Sequence, residues 1–206
     1  MPSPDTLLAA AQKLAQIAGL PWAHVQPVYR SLQQPGGSME TPWLPKSSGR
    51  AVWVAHPNYI TRLLIALACG GGASQAHEAI EWAIHTTPGG RAFRLDEKPA
   101  ANIIPPIERE FFGYLVDHAQ AADLLNVEFR QDENRIVFNT KSKGEVIFAR
   151  HFASGETAGD EAQPFRGIFT RGVIHGAVFV MIANTIAWRR HDDSPVDFNA
   201  PEEPGE

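Results

Sequence analysis

Residues 127–148 read VEFRQDENRIVFNTKSKGEVIF, and their alternation decides the class of fold. Val127 and Phe129, Ile136 and Phe138, and Val146 and Phe148 each stand two residues apart. That is the period at which side chains return to the same face of a strand. Polar turns around Asp132 to Asn134 and Lys141 to Gly144 separate the three runs. Short turns between alternating runs predict a three-strand antiparallel meander with one apolar face.

That face needs a cover, and the flanking sequence offers helices for it. Upstream, Ile107, Phe111, Tyr114, Leu115, His118 and Ala122 recur at helical spacing and predict a helix over 107–124. Downstream, an apolar run predicts a final helix near 171–190. The first half of the chain is helical as well. Pro57 opens a helix running to about Cys69, with Ile60, Leu63, Leu64 and Leu67 inward and Gly70 as its C-cap. Ser74 can cap a further helix from Gln75 to His85, with Ala76, Ala79, Ile80, Ala83 and Ile84 inward. Helices followed by a meander give an α+β fold: an N-terminal helical unit, then three strands packed by two helices. The expected organisation is a helical domain over 1–90, a linker over 91–106 ending in Pro105-Pro106, an α/β domain over 107–190 and a disordered acidic tail over 191–206. SGETAGDEAQ, residues 154–163, reads as a flexible acidic loop.

Composition narrows the function classes. With 44% apolar residues in 206, the chain can build a core. The apolar run over 173–188 contains His175, Gly176 and Asn184 and falls short of the ~20 residues a membrane span needs. MPSPDTLLAA at the start has no basic region and no cleavage site, so no secretion signal is expected. Cys69 is the single cysteine. No internal disulfide can form, which suits a reducing cytoplasm, and the residue reads as a small buried hydrophobe. The net charge is −5, but residues 1–62 carry five basic residues, Lys13, Arg30, Lys46, Arg50 and Arg62, against Asp5 and Glu40. A locally positive part on an acidic body suits a nucleic-acid reader with a separate second domain.

The segment AQKLAQIAGLPWAHVQPVYR, residues 11–30, supplies the pattern such a reader needs. Ala15 is small, as a helix crossing point requires, and Gly19 can take positive φ in the turn. Leu20, Val25 and Val28 predict an apolar stripe facing Leu14, Ala15 and Ala18, and Pro21 suits the first position of the second helix. On Ala15, Gly19, Leu20, Val25 and Val28, residues 11–32 resemble the helix-turn-helix family, in the form carried by small bacterial and prophage-type transcriptional regulators. Pro27 departs from the pattern: inside a helix it removes one backbone hydrogen bond and crowds the carbonyl of Ala23, at a cost of roughly 3 kcal/mol. The second helix is then either kinked or two short turns. The competing reading is a pair of core helices joined by a glycine turn.

The resemblance implies double-stranded DNA as partner, with Trp22, His24, Gln26 and Arg30 facing the major groove. A loop follows, QQPGGSMETPWLPKSSGR, and within it Lys46, Ser47, Ser48 and Arg50 combine cations with hydroxyl donors suited to phosphate oxygens. The C-terminal α/β part would form a homodimer, since such readers pair to match two half-sites. Neither cofactor nor metal is implied.

Other constellations carry less. His77, Glu81 and His85 ascend one helix at spacings of four, close enough for neighbours to share a metal ion. They also fall opposite the apolar stripe, so a solvated face accounts for them. His118 and His175 lie in apolar stripes and read as hydrogen-bonded core histidines. No serine elbow and no carboxylate pair in an apolar setting is present, so an enzyme is not expected. The expected function is a cytoplasmic, sequence-specific DNA-binding regulator. The alternative is a non-enzymatic interaction or assembly protein of phage type.

Overall fold

The alternation of residues 127–148 becomes two cross-strand rows on one sheet face. In the computed structural model, which describes residues 3–37, 40–47, 52–70, 72–90, 104–150 and 171–188, β2 (Leu124–Arg130), β3 (Arg135–Thr140) and β4 (Gly144–Arg150) pair antiparallel in succession. Val127 lies opposite Phe138 and Phe138 opposite Val146, while Phe129 lies opposite Ile136 and Ile136 opposite Phe148. Asn134, with φ at 52°, turns the chain from β2 into β3.

Among the described residues the sheet has five strands, not three. β1 (Thr86–Pro88) adds outside β4 and β5 (Gly172–His175) adds outside β2, giving the order β1-β4-β3-β2-β5, antiparallel throughout. Both additions are too short to display a period. β1 has three residues and ends in a proline, as an edge strand permits. β5 runs directly into α7 (Gly176–Thr185), so its apolar residues merge with those of the helix that follows. The final helix is accordingly shorter than the expected span.

The helix expected over 107–124 is two helices, α5 (Pro106–Val116) and α6 (His118–Asp123). Asp117 separates them: its backbone is extended, and its carboxylate accepts hydrogen bonds from the N–H groups of Ala119 and Gln120. An aspartate that caps the second helix terminates the first. α5 and α7 lie on the apolar sheet face. Phe111 meets Phe138 edge-on at 5.1 Å between ring centroids, Tyr114 stacks on Phe138 at 5.5 Å, and Phe179 of α7 sits 5.8 Å from Phe111.

The helical first half comprises α1 (Leu7–Ile17), α2 (Trp22–Leu32), α3 (Pro57–Ala68) and α4 (Gly72–Ile84). α4 begins earlier than expected, which puts Ser74 in its first turn rather than at its cap. α3 is the central member, buried at nine of its twelve positions and touching α1, α2, α4, α5 and β5. One buried cluster runs without a break from Leu7 in α1 through Leu63 and Ile65 in α3 to Phe138 and Phe179, and β1 reaches the sheet from the chain immediately after α4. At two points the backbones touch: a Cβ on Gly172 would overlap the Ala68 carbonyl, and one on Gly176 the Leu124 carbonyl.

Among the described residues no helix is long and apolar enough to cross a membrane. The acidic loop over 154–163, most of the expected linker and the tail over 191–206 lie outside the described residues.

Candidate nucleic-acid interface

The turn between α1 and α2 is closed by two backbone bonds. Leu20 N–H donates to the Ala15 carbonyl at 2.9 Å and Gly19 N–H to the Gln16 carbonyl at 3.1 Å, with Gly19 at φ +66°. This paired closure satisfies two of the last carbonyls of α1 and requires a residue at ease with positive φ. Leu20 follows the glycine, and its side chain is 38% exposed instead of facing α1. Pro21 occupies the N-cap rather than the first helical position, its ψ of 135° keeping it outside the helix.

α2 is one helix from Trp22 to Leu32 in spite of Pro27. The carbonyl that loses its donor belongs to Ala23, which is exposed, as is Pro27 itself. Solvent can take up the missing bond on that side, so the proline costs less than it would on a packed face. The inner face, Val25, Val28, Tyr29 and Leu32, is buried, but it packs more extensively against α4 than against α1. Ser31 ties this contact, its hydroxyl donating to the Ala73 carbonyl at 2.8 Å and its own carbonyl meeting Nε2 of His77 at 3.1 Å.

The outer face of α2 carries Ala23, His24, Pro27 and Arg30, all exposed. Gln26 is half-buried on the flank. Trp22 is half-buried too, its ring 6.2 Å from that of Tyr29. Lys46 and Ser47 are exposed, while Ser48 and Arg50 lie outside the described residues.

The segment bearing Lys46 and Ser47 returns to the C-terminal end of α2 and is held there at three successive residues. Arg62 Nη1 donates to the Trp43 carbonyl at 2.9 Å, Leu44 N–H to the Leu32 carbonyl at 2.9 Å, and Gln33 Nε2 to the Pro45 carbonyl at 2.9 Å. Arg30 in the last turn of α2 and Lys46 thus emerge from the same end of the helix.

Local charge is smaller than the residue count implies. Lys13 Nζ pairs with Asp5 at 2.7 Å, and Arg62 Nε pairs with Glu108 at 2.7 Å. Among the described residues Arg30 and Lys46 enter no ion pair. Glu108 lies 46 residues from Arg62, so no local spacing could have exposed the neutralisation.

His77, Glu81 and His85 do not form the solvated face expected of them. His77 is buried against Ser31, and a Cβ on Gly36 would come within 2.7 Å of its ring, so the missing side chain there is what admits the imidazole. Glu81 sits against Gly37, and only His85 is exposed. The helix buries a second face because α2 and the loop after it pack there. Among the described residues no three His, Cys, Asp or Glu side chains converge to hold a metal ion. His118 and His175 are exposed rather than in the core. The first opens α6 just past the break at Asp117, and the second ends an edge strand opposite Asn126. Cys69 is buried, and that burial pushes its thiol up to about 12, against a smaller opposing hydrogen bond with Gln131. It is a neutral thiol at physiological pH.

No family model, no curated protein and no solved structure matches the chain.

Proposed function

We propose that this protein is a sequence-specific, non-enzymatic DNA-binding regulator of the cytoplasm, acting on double-stranded DNA as a homodimer. The observation that carries this reading is the exposed outer face of α2 together with Lys46 and Ser47, held at the C-terminal end of the same helix. His24, Arg30 and the half-buried Gln26 enter the major groove, and Trp22 contributes at its edge. Lys46, Ser47, Ser48 and Arg50 bind phosphates. The dimer forms through the C-terminal part, where Leu125, Val173 and Met181 are exposed.

Three cations per chain, Arg30, Lys46 and Arg50, make this a weakly electrostatic binder. A homodimer engaging phosphates through Lys46 and Arg50 of each chain, about four charges, would lose affinity with a log–log salt slope of roughly −4. Binding then depends on base contacts, which suits an acidic protein. The test is selection from a random duplex library with the full-length protein at low salt, followed by gel shifts on the selected and a scrambled duplex at two salt concentrations. Enrichment of one motif supports the reading, and retention of no duplex overturns it.

A second reading, an interaction or assembly protein, draws on the same exposed Leu125, Val173 and Met181. It differs in predicting a defined protein complex and no retention on DNA.

A further inference from the structure

Lys46 and Ser47 leave a segment whose three preceding residues are each fixed to a different group. Trp43 is held twice by Arg62: its carbonyl accepts from Nη1 at 2.9 Å, and the guanidinium lies 5.4 Å from the centre of its indole ring. Leu44 is held by the α2 backbone and Pro45 by the Gln33 side chain. Arg62 is itself immobilised, because Nε and Nη2 grip the two carboxylate oxygens of Glu108 at 2.7 and 3.4 Å. The Arg62 contact satisfies the carbonyl of the buried Trp43, as any loop requires, and it also fixes the backbone three residues before Lys46. A phosphate-binding arm gains from this, because backbone already fixed beside a lysine removes part of the entropy cost of the contact.

We infer that Gln33 and Arg62 are positioning residues for phosphate contact by Lys46, with Glu108 as the anchor of Arg62. The inference rests on the DNA-binding reading and adds to it that the arm is preorganised from both ends. α2 and its C-cap supply Leu32 and Gln33, and the sheet-packing helix α5 supplies Glu108 through Arg62. A change in α5 would therefore reach the DNA-binding face through a single guanidinium.

The test is a double-mutant cycle on DNA affinity in the full-length protein, using Gln33→Met and Lys46→Ala. Gln33 is half-buried near the surface, and methionine keeps its length while removing the bonds to the Pro45 carbonyl and the Tyr29 hydroxyl, so the fold survives. Gln33→Met is expected to weaken binding to selected and scrambled duplexes alike, by about threefold to tenfold, the range of one lost hydrogen bond. Its melting temperature should fall by no more than a few degrees, the stability cost of part-exposed hydrogen bonds in a chain of this size. In the Lys46→Ala background the same substitution should have no further effect, because Gln33 acts through Lys46. Additive losses, or unchanged affinity for Gln33→Met, overturn the inference while leaving the DNA-binding reading intact. Absence of DNA binding by the wild-type chain overturns both. Glu108→Gln extends the cycle: if it folds, its loss of affinity should likewise vanish in the Lys46→Ala background, and a loss that persists there overturns the role given to Arg62.

Discussion

Arg62 of α3 and Glu108 of α5 form a two-pronged ion pair, Nε to Oε1 at 2.7 Å and Nη2 to Oε2 at 3.4 Å, with the Glu108 side chain only 1% exposed. The pair joins the helical half of the chain to the half built around the sheet. A carboxylate so deep in the protein would be strongly disfavoured alone, and the guanidinium with its further bond to the Trp43 carbonyl compensates for the lost hydration.

Breaking that pair from one side should be costly. Glu108→Ala is expected to destabilise the fold by about 3 kcal/mol, the low end of the range for one partner removed from a buried pair, since Arg62 keeps some access to solvent. Replacing both residues, Glu108→Leu with Arg62→Met, should recover most of the loss. Urea denaturation of the wild type and the two variants checks this, and a double variant no more stable than Glu108→Ala would contradict it.

The two backbone contacts at Gly172 and Gly176 predict an intolerance of any side chain. In each case a Cβ meets a main-chain carbonyl, which cannot swing aside as a side chain could. Gly172→Ala and Gly176→Ala should each cost about 2–3 kcal/mol by overpacking, which for a chain of this size lowers the melting temperature by roughly 4–12 °C. Thermal unfolding followed by circular dichroism measures it. A shift near zero would mean that β5 and α7 do not approach α3 and β2 so closely.

Asp117 should make stability sensitive to acid. Hydrogen bonds from the backbone N–H groups of Gln120 and Ala119 hold its carboxyl below the ordinary value of 3.8. The carboxylate therefore contributes stability above that ordinary value, and the contribution is lost as pH falls through the lower folded-state value. Asp117→Asn keeps a capping side chain but cannot titrate. Relative to wild type, the variant should be less stable at neutral pH, with the difference shrinking in acid. A difference independent of pH would show that the charge plays no part in the cap.

On DNA, the two kinds of cation should separate. Arg30→Ala is expected to weaken the selected duplex by about 1–3 kcal/mol with little effect on a scrambled one. Lys46→Ala, and likewise Arg50→Ala, should weaken both alike and reduce the salt slope by about one per chain. Equal losses on both duplexes for Arg30→Ala would remove Arg30 from base recognition.

Alternation at 127–148 was enough to establish three strands, their inward residues and hence the α+β class, because the period of a strand is local and hydrophobic contrast displays it. The turn at Gly19 and the buried Val25 and Val28 were readable for the same reason, as was the exposure of Arg30 on the opposite side of α2. What the sequence could not determine depends on partners distant along the chain. β1 and β5 exist because β4 and β2 offer free backbone edges, not because three or four residues carry a pattern of their own. His77 is buried because α2 and Gly36 come to lie over it, and Leu20 is exposed because the closure at Gly19 turns it out. Charge divides in the same way. Sequence determined how many cations the first sixty residues carry, but only the tertiary structure decided which remain for a ligand, by setting Asp5 against Lys13 and Glu108 against Arg62.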